Sequence, residues 1–152
     1  MGSNAIATNK KAYHNYHLTD KWEAGIALAG SEVKSIRAGE VNFSDSFAKV
    51  EDGEIYLYNL HINPYLQAGY MNPAPDRVRK LLLRKPEIKR IAGLVNQKGM
   101  VLVPTRIYIN TRGFVKVEVA IGKGKKLYDK REDIKKQTID RALKRTVKTH
   151  RR

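Results

Sequence analysis

His14 and His17 stand three residues apart, a spacing that can bring two imidazoles to one metal ion. No carboxylate or third ligand accompanies them at useful spacing, and His61 and His150 are distant in sequence. They read as members of a polar N-terminal segment, and no metal site is expected. Gly122-Lys-Gly-Lys-Lys126 has the composition of a phosphate loop. It lacks the G-x-x-x-x-G-K-[ST] spacing and no apolar helix follows, so nucleotide binding is not expected. Its two glycines look instead like a hinge where a folded body ends. The absence of cysteine removes thiolate metal sites, Cys nucleophiles and disulfides together. Glu51, Asp52 and Glu54 flank a turn and read as solvated loop charges. No catalytic residue and no cofactor is expected.

Cations and rings are what the sequence supplies. Nucleic-acid binders combine cations for phosphates with planar groups for bases or riboses. Basic residues cluster at Lys10-Lys11, at Lys34 and Arg37, at Arg77, Arg79 and Lys80, at Arg84-Lys85, and from Lys123 to Lys126. Tyr13, Tyr16, Trp22, Tyr65, Tyr70 and Tyr128 are available as stacking surfaces. Tyr56, Tyr58, Tyr108 and Phe114 lie inside strand patterns and read as core or barrel-face packing. Over 152 residues, 30 Lys+Arg oppose 15 Asp+Glu, a net charge of +15. A polyanionic partner follows, nucleic acid ahead of an anionic membrane surface. No apolar run approaches the ~18 residues that span a bilayer, and no signal-peptide core follows the N-terminus.

The elements that must carry these groups are marked by period and punctuation. Ser46–Val50 and Glu54–Leu60 flank a turn in which Gly53 supplies positive φ, which predicts a hairpin. Met100–Pro104 and Arg106–Ile109 are split by Pro104, which implies an edge, a bulge or a corner. After the turn at 110–113, Phe114–Ile121 alternates, with Val115, Val117, Val119 and Ile121 on one face. Residues 77–84, with three consecutive leucines, fit either a strand buried on both faces or the start of a helix. Pro86 opens a helix whose Ile88, Ile91, Ala92 and Val95 share one face and which Gly99 stops. A shorter helix has Ser31 as N-cap, Glu32 in its first turn, Val33 and Ile36 inward, and Gly39 at its end. Short strands with interposed helices predict a mainly β fold, a closed antiparallel β-barrel of OB type with flanking helices. A split sheet with helices on one side is the alternative.

The charge divides this chain. Residues 123–152 hold 13 Lys+Arg against 4 Asp+Glu, a net +9, whereas the first 122 residues hold 17 against 11. Ile139, Leu143 and Val147 form only a thin stripe, so the basic C-terminal tail is expected to be disordered alone and helical when bound. The tail has no aromatic residue beyond Tyr128, which favours RNA over a membrane. Residues 1–8, small and polar and with a Gly-Ser-Asn-Ala resembling a cloning remnant, are expected to be disordered. This leaves residues 9–122 as the RNA-binding body.

Several blocks carry a family resemblance. They are Asn9-Lys-Lys-Ala with His14-x-Tyr16 behind it, Glu23-Ala-Gly-Ile-Ala-Leu, and Gly30-Ser-Glu-Val-Lys-Ser-Ile-Arg-Ala-Gly39. Asp45-Ser-Phe-Ala48, Arg79-Lys-Leu-Leu-Leu83, Leu102-Val-Pro104 and Gly122-Lys-Gly-Lys-Lys-x-Tyr-Asp-Lys-Arg131 follow in the same order. From about Asn9 to the end the chain resembles the small protein B family, the SsrA-binding proteins of bacteria. The resemblance implies an OB-like barrel that binds the tRNA-like domain of transfer-messenger RNA. It implies delivery of that RNA to ribosomes stalled on messages lacking a stop codon, in trans-translation. It also implies RNA contacts at Glu23, Leu82, Arg84 and Lys116. The tail would enter the empty mRNA channel near the decoding centre, with Asp129, Lys130 and Arg131 as the D-K-R motif. Tyr128 would stack on a 16S rRNA base, and Lys125 and Lys126 would lead into the channel. Lys34, Arg37, Trp22, His14 and Tyr16 complete the expected RNA-binding set as cations and rings of the body. A cytoplasmic monomer on RNA, with no membrane partner, is expected. A ribosomal or ribosome-assembly rRNA-binding protein is the rival reading.

Overall fold

The computed structural model describes residues 5–124, apart from the side chains of Tyr70 and Met71, so expectations for the tail beyond Gly124 lie outside the described residues. Its elements are β1 (Ala5–Thr8), α1 (Lys10–Asn15), β2 (Tyr16–Ile26), α2 (Gly30–Arg37), β3 (Val41–Glu51) and β4 (Glu54–Ile62). A 3₁₀ segment (Leu66–Met71), β5 (Arg79–Leu82), α3 (Lys85–Val95), β6 (Met100–Ile109) and β7 (Val115–Gly124) follow. The strands hydrogen-bond in the order β1-β6-β3-β4-β5-β2-β7, and β6 also pairs with β7. Six antiparallel strands, β2 to β7, therefore close on themselves as the expected barrel.

The β3–β4 hairpin is built on its turn. Glu51 pairs with Glu54, and the two residues between, Asp52 (φ 50°) and Gly53 (φ 74°), both take the left-handed conformation that matches strand twist. β6 is one strand rather than two pieces, with a register shift against β7 between Pro104 and Arg106. Before that bulge, Leu102 pairs with Ala48 of β3; after it, Arg106 and Tyr108 pair with β1. Proline has no N–H for the ladder, so the bulge falls where the missing donor costs least. Asn9 holds this corner. Its Nδ2 donates to the Pro104 carbonyl (2.8 Å) and its backbone N–H to the Thr105 carbonyl (2.7 Å). Its Oδ1 accepts from the Ala12 N–H (3.2 Å) and so caps α1.

Four expectations are corrected. Ala5–Thr8 is not disordered: it is β1, because the edge of β6 past the bulge needs a partner and Ile6 and Ala7 pack on the core. The hinge at Gly122 is absent, since β7 continues to Gly124, opposite Tyr16. A Cβ at Gly122 would lie 3.0 Å from the Tyr16 Cβ, so glycine there permits close strand approach. β5 is not buried on both faces. Arg79 and Leu81 point inward and Leu82 is 52% exposed. The cap of α2 is Ala29, whose N–H donates to Glu32 Oε1 (2.9 Å), rather than Ser31.

One core fills the barrel. Ala24 and Ile26 of β2, Ile55 and Leu57 of β4, and Val117 and Val119 of β7 lie in it. The helices add Ile36 from α2 and Ile88 and Ile91 from α3, whose C-cap is Asn96, three residues before Gly99.

Candidate nucleic-acid interface

Packing sorts the cations first. Of the cluster at Arg77, Arg79 and Lys80, Arg79 is fully buried. Its Nε donates to Glu32 Oε2 (2.7 Å), Nη1 to the Leu60 carbonyl (2.6 Å) and Nη2 to the Pro75 carbonyl (2.9 Å). Arg77 Nη2 also meets Glu32, at 2.5 Å. Two guanidiniums of the expected phosphate-binding cluster thus hold α2 to β5, leaving Lys80 facing outward, 3.6 Å from Glu54.

The outer face of the sheet brings together residues far apart in sequence. Gly25 of β2 is opposite Leu82 of β5 on one side and Lys116 of β7 on the other. A Cβ at Gly25 would sit 3.2 Å from that of Leu82, so the missing side chain lets the leucine lean across. Arg84 caps α3, where its N–H donates to Glu87 Oε1 (3.1 Å). Glu23, Leu82, Arg84 and Lys116 line one cleft of about 640 Å³, together with Lys80 and Lys85. All four residues named by the family resemblance share this cleft.

Glu23 is held from behind. The Tyr108 hydroxyl donates to Glu23 Oε2. Burial, then the Glu23 carboxylate, push the Tyr108 phenol well above its ordinary pKa, so it stays a donor. The Arg106 guanidinium lies 4.8 Å from the Tyr108 ring centroid and its Nε 3.4 Å from Glu118 Oε2, which accepts from Thr105 Oγ1 (2.6 Å). The cleft therefore offers cations for phosphates, an apolar side chain for a ribose or base face, and, beside Glu54 (paired with Lys80) and Glu87 (capping α3), the Glu23 carboxylate to accept from a 2′-hydroxyl or base amino group.

The other expected residues divide. Arg37 joins the cleft through a neighbouring hollow that shares Gly25, Leu82 and Lys116 with it. Lys34 is exposed, with Nζ 5.4 Å from the Tyr65 ring centroid. Trp22 is corrected. It is half-buried against the core on the Ala24 side of β2, because the strand period turns it away from Glu23, so it offers no stacking face in the cleft. His14 is exposed on α1, away from the cleft, and Tyr16 lines a separate groove of about 770 Å³ bordered by α1, β3, α3 and β6. Phe114 is also corrected, from packing residue to 63% exposed ring at the rim of the hollow. The sequence signal was its parity, since in the alternating run 114–121 it falls on the face of Lys116 and Glu118, opposite Val115, Val117 and Val119. Lys125, Lys126, Tyr128, Asp129, Lys130 and Arg131 lie outside the described residues. Among the described residues, no three His, Cys, Asp or Glu side chains could share a metal ion, and no helix is long and apolar enough to cross a membrane.

A family model described as "SmpB protein" matches residues 6–149. The chain is 55% identical over 145 residues to the SsrA-binding protein of Caldicellulosiruptor bescii, covering 95% of this chain and 91% of that one. It is 51% identical over 154 residues to the SsrA-binding protein of Geobacter metallireducens, covering 99% of this chain and 100% of that one. A solved chain described as "tmRNA-SmpB: a journey to the center of the bacterial ribosome" superposes with TM-score 0.71 at 52% identity. That match covers 90% of this chain and 96% of the solved one.

Proposed function

The chain belongs to the SmpB protein family, and from that premise we propose that it is an RNA-binding protein of ribosome rescue, not an enzyme. It binds the tRNA-like domain of transfer-messenger RNA and delivers that RNA to stalled ribosomes in the cytoplasm. The body grips folded RNA through the cleft, and the basic tail, through Tyr128, Asp129, Lys130 and Arg131, probes the empty mRNA channel near the decoding centre. The observation that carries this reading is the convergence of Glu23, Leu82, Arg84 and Lys116, up to 93 positions apart, on one exposed cleft.

Recognition by shape suits a structured RNA, since the deep groove of an A-form duplex hides its base edges. The test is binding of a tRNA-like RNA against unstructured poly-U at several salt concentrations. R84A and K116A should each weaken binding by about tenfold, the cost of a charge-assisted contact. Each should also lower the salt slope by about one unit. Equal affinity for the two RNAs, or no effect of either substitution, overturns the reading.

A further inference from the structure

Phe114 leaves its ring 63% exposed although the next residue, Val115, is buried in the core. The ring is firmly mounted. Asn110 Oδ1 accepts from the Arg112 N–H (3.0 Å) and the Phe114 N–H (2.9 Å), and the Asn110 N–H donates to the Phe114 carbonyl (2.9 Å). From the other side Arg37 Nη2 donates to the Gly113 carbonyl (3.3 Å), tying the turn to the end of α2. Ring, guanidinium and Lys116 line the hollow of about 380 Å³ beside the cleft. Leu82 is the ridge between the two, and it too is exposed.

The chemistry of the hollow selects its occupant. Its lining includes two cations, Arg37 and Lys116, and no acidic residue, while the remainder is apolar or glycine. A flat apolar wall with cations at its edge fits a nucleobase and its flanking phosphates, because every base has a face to stack and every linking phosphate a charge to neutralise. Continuity with the cleft makes the RNA held there the source of that base. We propose that this hollow is a nucleobase subsite, in which one unpaired base of the bound RNA stacks on Phe114 while Arg37 and Lys116 hold the adjoining phosphates. The assignment rests on the RNA-binding reading and adds to it a base that is splayed out of the RNA fold.

Affinity for a tRNA-like RNA with unpaired loop bases, measured for F114A, F114L and F114W, tests it. F114A and F114L should bind about 5- to 100-fold more weakly, the loss of one base–aromatic stack, and F114W should bind like the parent. The salt slope should not change, because no phosphate contact is removed. F114L keeps apolar bulk without a π face, so it decides the question even if F114A folds poorly. Replacing the unpaired bases one at a time by abasic sugars should find one position whose loss weakens the parent protein but leaves F114A no weaker. The subsite is overturned if F114A and F114L bind like the parent, or if every abasic position weakens F114A as much as it weakens the parent. Unchanged RNA affinity in F114A together with lost ribosome association would assign the ring to a protein surface and overturn it as well. If K116A weakens binding and F114L does not, only the subsite falls; if neither matters, the RNA-binding cleft itself is wrong.

Discussion

Glu32 shows a residue whose neighbours redirect its role. In the sequence it is an acid in the first turn of a helix, where the helix dipole favours it. In the fold it is buried and accepts from the Ala29 N–H, from Arg77 and from Arg79. Burial by itself would raise its pKa, but the bonds from Arg77, Ala29 and Arg79 outweigh that and hold the carboxyl below its ordinary value. A carboxyl lowered in the folded state stabilises the fold fully above the unfolded glutamate value, about 4.3. That stabilisation is lost as pH falls through the lowered folded value. Urea midpoints measured from neutral to acid pH should therefore fall below about pH 4, the ordinary glutamate range, and E32Q should flatten this fall. At neutral pH, E32Q should cost about 3–5 kcal/mol, because Arg79 would remain buried without its counter-charge. The helix position of Glu32 was legible in the sequence. Its partner, 47 residues away, was not, because nothing local distinguishes an arginine that will be buried from one that will meet phosphate.

At the scale of elements, Asn9 does two jobs that local rules describe only by half. It is the N-cap of α1, and it occupies the carbonyls that the Pro104 bulge leaves outside the ladder. N9A removes both side-chain bonds and should destabilise the protein by about 1–3 kcal/mol in urea unfolding. N9S retains a capping oxygen without the amide donor and should fall between N9A and the parent. Elements with a strong period were legible: α3 from its apolar stripe and Pro86, β7 from alternating valines, and the β3–β4 hairpin from its Asp52-Gly53 turn. The long strand β2 was not, since Thr19, Asp20, Lys21 and Glu23 break any alternation near the bulge between Leu18 and Lys21. β1 was missed for a related reason. Ala5-Ile-Ala-Thr8 holds two β-branched residues, but a run of four is too short to mark a strand until the open edge of β6 offers it a partner.

For the whole molecule, net charge is two quantities rather than one. The body's cations are thinned further by folding, which buries Arg79 and engages Arg77. The proposed recognition by the body therefore rests on a shaped cleft more than on charge density. Residues 123–152 carry a net +9 in the sequence. Removing residues 127–152 should leave urea stability and binding of the tRNA-like RNA largely intact. The same truncation should abolish peptide tagging on stalled ribosomes in a reconstituted translation assay. Equal loss of binding and tagging would contradict the division of labour between body and tail.

By itself the sequence determined the class of partner and the barrel with its flanking helices, because charge balance, apolar period and turn residues are local properties that folding does not alter. The ordered motif blocks, through their resemblance, determined the family. Tertiary structure decided which of the basic and aromatic side chains are available to that partner. Strand register turned Trp22 inward and Leu82 outward, burial took Arg79 from the surface, and a turn held by Asn110 and Arg37 left Phe114 in solvent. Those outcomes depend on contacts between residues tens of positions apart, and only closure of the barrel brings them within reach of one another.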